Sequence, residues 1–214
     1  MYQTILIDLD GTLTDPGLGI TNSVAYALKH YGIEEADRTA LYRFIGPPLA
    51  KSFEQYYGFS AEKSEEAVKV YREYFSTKGL YENEVYPETV QMLEALKAVG
   101  CRLIVATSKP EKFANIILEH FDLKKYFDFV AGATMDSSRS RKADVIAYAL
   151  ENCGVADVSS AVMVGDREHD ILGAKELGMD SIGVLVGYGS REELEKAGAT
   201  YVAETLMNVV ELVK

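Results

Sequence analysis

The segment Asp8-Leu9-Asp10-Gly11-Thr12-Leu13 carries the densest chemistry in the chain. It follows a short apolar run, so it falls where a strand ends. Two acids two residues apart on extended chain share a side, and Gly11 permits a sharp turn directly after them. A carboxylate in a strand-end loop can attack phosphorus if the incoming phosphate is neutralised. Alone, the segment also reads as a polar strand exit with an Asp-Gly turn. Three later segments decide between the readings. Residues 103–106 run into Thr107 and Ser108, a hydroxyl and a backbone N–H suited to a phosphate oxygen, or otherwise a helix cap before Lys109-Pro110. Lys142 opens a helical pattern after the run 129–131, in the place where one cation would screen Asp8 from phosphate; elsewhere such a lysine is a solvated side chain. Residues 161–164 lead into Gly165-Asp166-Arg167-Glu168-His169-Asp170. Asp166 and Asp170 are four apart, close to one face of a starting helix, where acids can serve the dipole. With Asp8 and Asp10 they make a carboxylate cluster that calls for a hard cation. Magnesium, held by few carboxylates plus water and substrate phosphate, fits best.

Positioning these groups falls to an alternating pattern. The runs 4–7, 103–106, 129–131, 161–164 and 182–186 are almost continuously apolar, which suits parallel strands covered on both faces. Helical patterns lie between them: Met92, Leu93 and Leu96 before Gly100, then 113–121, 143–152 and 171–177. This predicts an α/β fold with a doubly wound parallel sheet, Rossmann-like, whose site lies beyond the carboxyl ends of the strands. The stretch 17–81 is different. It reads as helical throughout, over 20–31, 37–44, 49–57 and 61–79, with a break at Gly46-Pro47-Pro48. The expected organisation is therefore a core of residues 1–16 and 82–214 with an inserted helical bundle, 17–81.

Composition narrows the partners. The 214 residues carry 33 acids against 22 Lys and Arg, a formal net charge of -11. Such a surface repels a polynucleotide, so no nucleic acid polymer is expected as partner. A small anionic substrate then needs a local cation or helix N-terminus to draw it in. Cys101 and Cys153 lack metal or redox spacing and read as small hydrophobes, which with the absence of a signal-like N-terminus predicts a cytoplasmic protein. No apolar run approaches the roughly 20 residues of a membrane helix, so no membrane partner is expected. His30, His120 and His169 have no partner spacing.

In order, Asp-x-Asp-Gly-Thr, Thr-Ser, Lys and Gly-Asp-x-x-x-Asp resemble the four motifs of the haloacid dehalogenase superfamily in its phosphatase branch, and the match spans essentially the whole chain. The helical insert is similar to the cap of phosphoglycolate phosphatase-like members, and Phe44-Ile45-Gly46-Pro47-Pro48-Leu49 resembles members labelled 5′-nucleotidase-like or phosphoglycolate phosphatase-like. The resemblance implies that Asp8 becomes an aspartyl phosphate and that Asp10 protonates the leaving oxygen, then activates water. It implies that Gly11, Thr12, Thr107, Ser108 and Lys142 hold the phosphoryl group, with Lys142 neutralising charge. Asp8, the carbonyl of Asp10 and Asp166 would bind Mg2+, with Asp170 either a further ligand or a partner supporting the ligands from behind. Arg43, Gly46, Pro47 and Lys51 are candidates for substrate contact from the cap.

The expected activity is phosphatase hydrolysis of a small phosphate ester, phosphoglycolate- or nucleotide-like, by a monomer or homodimer. A phosphomutase would use the same Asp8 and Asp10 and return the phosphoryl group to a sugar. A non-catalytic binding protein on the same fold is the third reading. Nine of the 14 tyrosines lie between Tyr26 and Tyr86; they either line a pocket or form the core and rim of the bundle.

Overall fold

The computed structural model describes residues 1–214 as two compact units, Met1–Thr14 with Val85–Lys214, and Asp15–Glu84. The strands are β1 (Thr4–Ile7), β2 (Thr14–Asp15), β3 (Glu84–Val85), β4 (Arg102–Pro110), β5 (Phe129–Ala133), β6 (Ala161–Gly165), β7 (Asp180–Val184) and β8 (Tyr201–Ala203). The helices are α1 (Gly17–His30), α2 (Leu49–Tyr57), α3 (Ala61–Tyr74), α4 (Thr89–Ala98), α5 (Glu111–His120), α6 (Lys142–Asn152), α7 (Glu168–Glu176), α8 (Arg191–Ala197) and α9 (Leu206–Val213).

In the first unit six strands form one sheet in the order β5-β4-β1-β6-β7-β8, and every pairing is parallel. Leu6 lies in register with Ile104 on one side and Met163 on the other. That row packs against Val145, Ile146 and Ala149 of α6 and Ala174 of α7. The alternate residues Ile5, Ile7, Leu103, Val105, Val162 and Val164 are equally buried, so both faces are covered, as a parallel sheet requires. From β1 the chain builds outward through β4 and β5, then returns to the other side of β1 with β6. The reversal puts a switch point beyond the carboxyl end of β1, where open α/β sheets hold their ligands.

Two strand ends depart from the sequence expectation. The strand expected to stop at residue 106 continues to Pro110 through an irregularity: the four-residue step from Ala106 to Pro110 faces a two-residue step from Ala131 to Ala133. Thr107, Ser108 and Lys109 are the bulged residues, and a bulge re-aims side chains at a sheet rim. The run expected at 182–186 is the strand Asp180–Val184, and the chain from residue 185 turns back toward Asp166. β8, α8 and α9 were not anticipated. A separate two-stranded ribbon pairs β2 with β3.

The unit Asp15–Glu84 is helical apart from its terminal strand residues. The stretch expected as a helix over 37–44 is a 3₁₀ helix, Arg38–Phe44, begun by the Asp37 side chain accepting from Thr39 N at 2.9 Å. The run 61–79 divides into α3 and a π-helical turn, Phe75–Gly79. There the Thr77 hydroxyl donates to the carbonyl of Glu73 at 3.0 Å, and such back-bonding bends helices. Phe44, Phe53 and Phe59 form the centre, with ring centroids 5.0 and 5.8 Å apart. Tyr57 and Tyr71 join aromatic contacts inside this unit, while Tyr26, Tyr42 and Tyr81 are exposed. Cys101 and Cys153 are free thiols, both buried. No helix is long and apolar enough to cross a membrane.

Candidate active site

The site is built within the first unit, at the carboxyl ends of β1, β4 and β6. Asp8 follows β1 directly and donates its N–H to the carbonyl of Val164 at 2.9 Å, which extends the ladder by one residue and fixes the carboxylate at the sheet edge. The chain then folds into a tight turn. Leu13 N donates to Leu9 O at 2.9 Å and Gly11 N to Thr14 O at 2.8 Å. Gly11 has φ +82°, and a Cβ there would lie 2.3 Å from Asp166 Oδ2; only glycine fits.

Four buried carboxylates and two buried ammonium groups meet here. Lys142, first residue of α6, has its Nζ 2.9 Å from Asp8 Oδ1 and 2.7 Å from Asp170 Oδ1, and it donates to the carbonyl of Ala106 at 3.0 Å. Asp170 Oδ2 accepts from Arg167 N at 3.1 Å, which ties it to the first turn of α7. Asp166 does not lie on the helix face that its spacing suggests. It sits before α7, between β6 and the helix, accepting from Tyr188 N at 2.8 Å and from the Thr12 hydroxyl at 3.3 Å. The hydroxyl of Thr12 is thereby directed at a carboxylate. Thr107 is buried in the bulge and its Oγ1 accepts from Lys109 N at 3.2 Å; α5 begins after Pro110, so Thr107 caps no helix. Ser108 beside it is half-buried. Asp15 accepts from Gly17 N at 2.9 Å and serves the start of α1.

Three groups were not read from the sequence. Lys109 places its Nζ 2.5 Å from Asp10 Oδ2, both side chains being buried. Its spacing of two from Thr107 was the available signal. Arg167 donates from Nε to Glu193 Oε1 at 2.8 Å, and the same oxygen accepts from Glu168 N at 2.9 Å. The turn at 187–189 covers Asp166 through backbone alone, which no side-chain pattern reveals.

In the helical unit, the guanidinium of Arg43 lies 4.3 Å from the ring centre of Tyr56 and 5.5 Å from that of Tyr57, a cation–π arrangement. Gly46 has φ 101° and with Pro47 forms the break before α2. Lys51 is exposed on α2.

The electrostatics are one-sided. Burial pushes Asp166 well above the usual carboxylate range, and the charges of Asp170 and Asp8 push it further. Asp170 is raised to about 6 by burial, against the pull of Lys142. Asp10 is raised by burial, with Lys109 opposing. Burial alone would lower Lys142, but Asp170 and Asp8 outweigh it and hold the ammonium charged. The excess of acids over ammonium groups suits a divalent cation. Asp8, Asp166 and Asp170 each offer an oxygen within 4.8 Å of the others. Oδ1 of Asp8 and of Asp170 are buried, with the ammonium of Lys142 as their shared partner. Anionic oxygens of this kind are ligands for a hard metal.

The turn over Asp166 supplies a prediction. A Cβ at Gly187 would lie 2.1 Å from Gly11 O and 2.4 Å from Asp166 Oδ2. Gly187→Ala must therefore displace the turn and disturb Asp166. Any activity that depends on Asp166 is expected to fall at least about tenfold, with a stability loss of about 1–3 kcal/mol from overpacking. Steady-state assay and thermal melting check this; unchanged values in both would show that the turn does not hold Asp166.

A parallel α/β sheet with paired carboxylates at its first strand, a hydroxyl at the next and a buried lysine between acids defines a phosphoric monoester hydrolase. Residues 5–184 match the model of the haloacid dehalogenase-like hydrolases, and the chain belongs to that family. It is 46% identical over 200 residues to a 5′-nucleotidase of Pseudomonas aeruginosa, covering 94% of this chain and 90% of that one. It is 38% identical over 200 residues to the tyrosine-protein kinase PtkA of Mycobacterium tuberculosis, covering 94% of this chain and 68% of the relative. Among solved structures, that of a predicted phosphatase from Clostridium acetobutylicum superposes with a TM-score of 0.97 at 45% identity, over 100% of this chain and 98% of the other.

Proposed function

We propose that this chain is a magnesium-dependent phosphatase that takes a small phosphorylated metabolite, a nucleoside 5′-monophosphate first among them, through an aspartyl phosphate on Asp8. The observation that carries the reading is the convergence of Asp8, Asp10, Asp166 and Asp170 with Lys142 and Lys109 in one buried cluster. The name of the Pseudomonas relative supports the nucleotide as substrate; phosphoglycolate is the other small ester considered.

Asp8 attacks phosphorus from the end of β1. Lys142 screens the charge of the nucleophile from that of the phosphoryl group, which positioning and electrostatics must do in such transfers. Thr107 and the backbone N–H of Ser108 supply donors to the phosphoryl oxygens, whereas the N–H of Gly11 is given to Thr14 O and the Thr12 hydroxyl to Asp166. Asp10 gives a proton to the leaving oxygen and takes one from the water that cleaves the aspartyl phosphate. Asp8, Asp166, Asp170 and the carbonyl of Asp10 would hold Mg2+, which supplies further neutralisation of the phosphate charge. The kinase name of the mycobacterial relative gives a second reading, in which the phosphoryl group passes from Asp8 to an acceptor hydroxyl in place of water, as a phosphomutase would also require.

The test is a panel of nucleoside monophosphates, phosphoglycolate and sugar phosphates, assayed for released phosphate with magnesium and after exhaustive chelation. Release from nucleotides that stops on chelation and returns with magnesium is the expected outcome. Activity unaffected by chelation would refute the metal's role. An isomerised or newly phosphorylated acceptor without free phosphate would favour the transferase reading, and no turnover of any compound would favour a binding protein.

A further inference from the structure

We propose that Lys109 is the positioning residue for Asp10: it holds the carboxylate by Oδ2 and leaves Oδ1 to meet the leaving oxygen. The inference rests on the reading of Asp10 as proton donor. Lys109 Nζ and Asp10 Oδ2 are 2.5 Å apart, and the two side chains are only 5% and 11% exposed. Asp10 Oδ1 is buried and hydrogen-bonded to nothing in the chain. One oxygen is therefore clamped while its twin, on the same rigid carboxyl group, has its full hydrogen-bonding capacity. Asp10 sits in a turn, where χ rotation would otherwise let the two oxygens exchange. A charge-assisted bond to a buried ammonium is the strongest restraint available to a carboxylate of this kind.

The backbone explains why Lys109 can do this. In a regular β4 it would be one more residue of the ladder with β5. The irregular step between Ala106 and Pro110 releases residues 107–109 from that register, and Thr107 Oγ1 braces the bulge by accepting from Lys109 N. The phosphate-side hydroxyl and the clamp on the acid thus share one short segment. The competing explanation is that the pair only ties the bulge to the 8–14 turn. The two differ in the reaction: an alkoxide cannot leave without a proton, whereas p-nitrophenolate can, so a misplaced acid penalises alkyl esters selectively.

The experiment compares kcat/KM, which reports the phosphoryl-transfer step, for a nucleoside 5′-monophosphate and p-nitrophenyl phosphate in the parent, Lys109→Met, Asp10→Asn and the double variant. The loss in Lys109→Met is expected to be about tenfold or more larger for the alkyl ester than for the aryl ester. It is also expected to be largely absent in the Asp10→Asn background, as coupling through one residue requires. Lys109→Arg keeps the buried charge while displacing its centre, and should fold and show the same selective loss if the methionine variant does not. Equal losses on both esters, additive losses in the double variant, or no loss in either lysine variant would overturn the proposal. If Asp10→Asn itself shows no preference between the esters, the reading of Asp10 as acid fails instead.

Discussion

Asp8→Asn is expected to reduce p-nitrophenyl phosphate hydrolysis by about 10⁴-fold or more, the scale on which loss of a catalytic nucleophile registers. The amide has the size of the carboxylate but not its nucleophilicity. The fold should survive, because the ladder bond from residue 8 to Val164 is made by the backbone. Lys142 also keeps Asp170 at 2.7 Å as partner, so no buried ammonium is stranded. A well-folded variant, judged by circular dichroism and melting, that retained near-normal turnover would remove Asp8 from the chemistry.

Asp166→Asn is expected to lower activity by about 10²-fold or more, as losing a charged group poised in an active site does. It should nonetheless stabilise the metal-free protein. Asp166 is fully buried beside Asp170 and Asp8, and both its surroundings and its neighbours oppose its charge. An asparagine can still accept from Tyr188 N, and its amide can donate to the Thr12 hydroxyl. Removing the charge relieves an unpaired buried carboxylate, an effect of roughly 1–3 kcal/mol, or about 2–4 °C in melting temperature per kcal/mol for a chain of this size. The pH dependence has a definite sign. Asp170 shifts from the ordinary 3.8 to about 6, so from about pH 4 to pH 6 the folded chain keeps a proton that the unfolded chain sheds. The metal-free parent therefore loses stability as pH rises through that window. Magnesium should reverse the trend in the parent and have little effect in Asp166→Asn. Melting curves with and without metal across this range decide it; a metal-free variant less stable than the parent would show that Asp166 is not a destabilising charge.

The parts of this site that the sequence displays are those whose chemistry is local. Asp8, Asp10 and Asp166 follow short apolar runs, Lys142 opens a helical pattern and Asp170 stands in the first turn of one, and the structure places all of them in one cluster. Lys109 stayed hidden because Lys-Pro reads as the exit of a strand, and the bulge that turns its side chain inward leaves no mark in hydropathy. The turn at 187–189 stayed hidden because it acts through a backbone N–H and the lack of a Cβ. At the C-terminal end, Ser190 and Thr205 cap α8 and α9, each accepting from the N–H three residues on. Those signatures were present in the residues, but the three-residue strand between them carries too short an apolar run to suggest a sheet edge.

The place of β1 in the sheet has a consequence for how the chain acquires its structure. The first strand of the sheet in chain order is one of its two central ones, and its partners are Arg102 and its successors on one side and Ala161 and its successors on the other. Nothing within the next eighty residues can pair with its edges in the final sheet, so loop closure over long separations must precede any reward from strand pairing. During synthesis Thr4–Ile7 would wait as an exposed apolar segment while the helical stretch 15–84 completes from local contacts. Completion of the core then waits for the emergence of β6, which also brings Asp166 to Asp8.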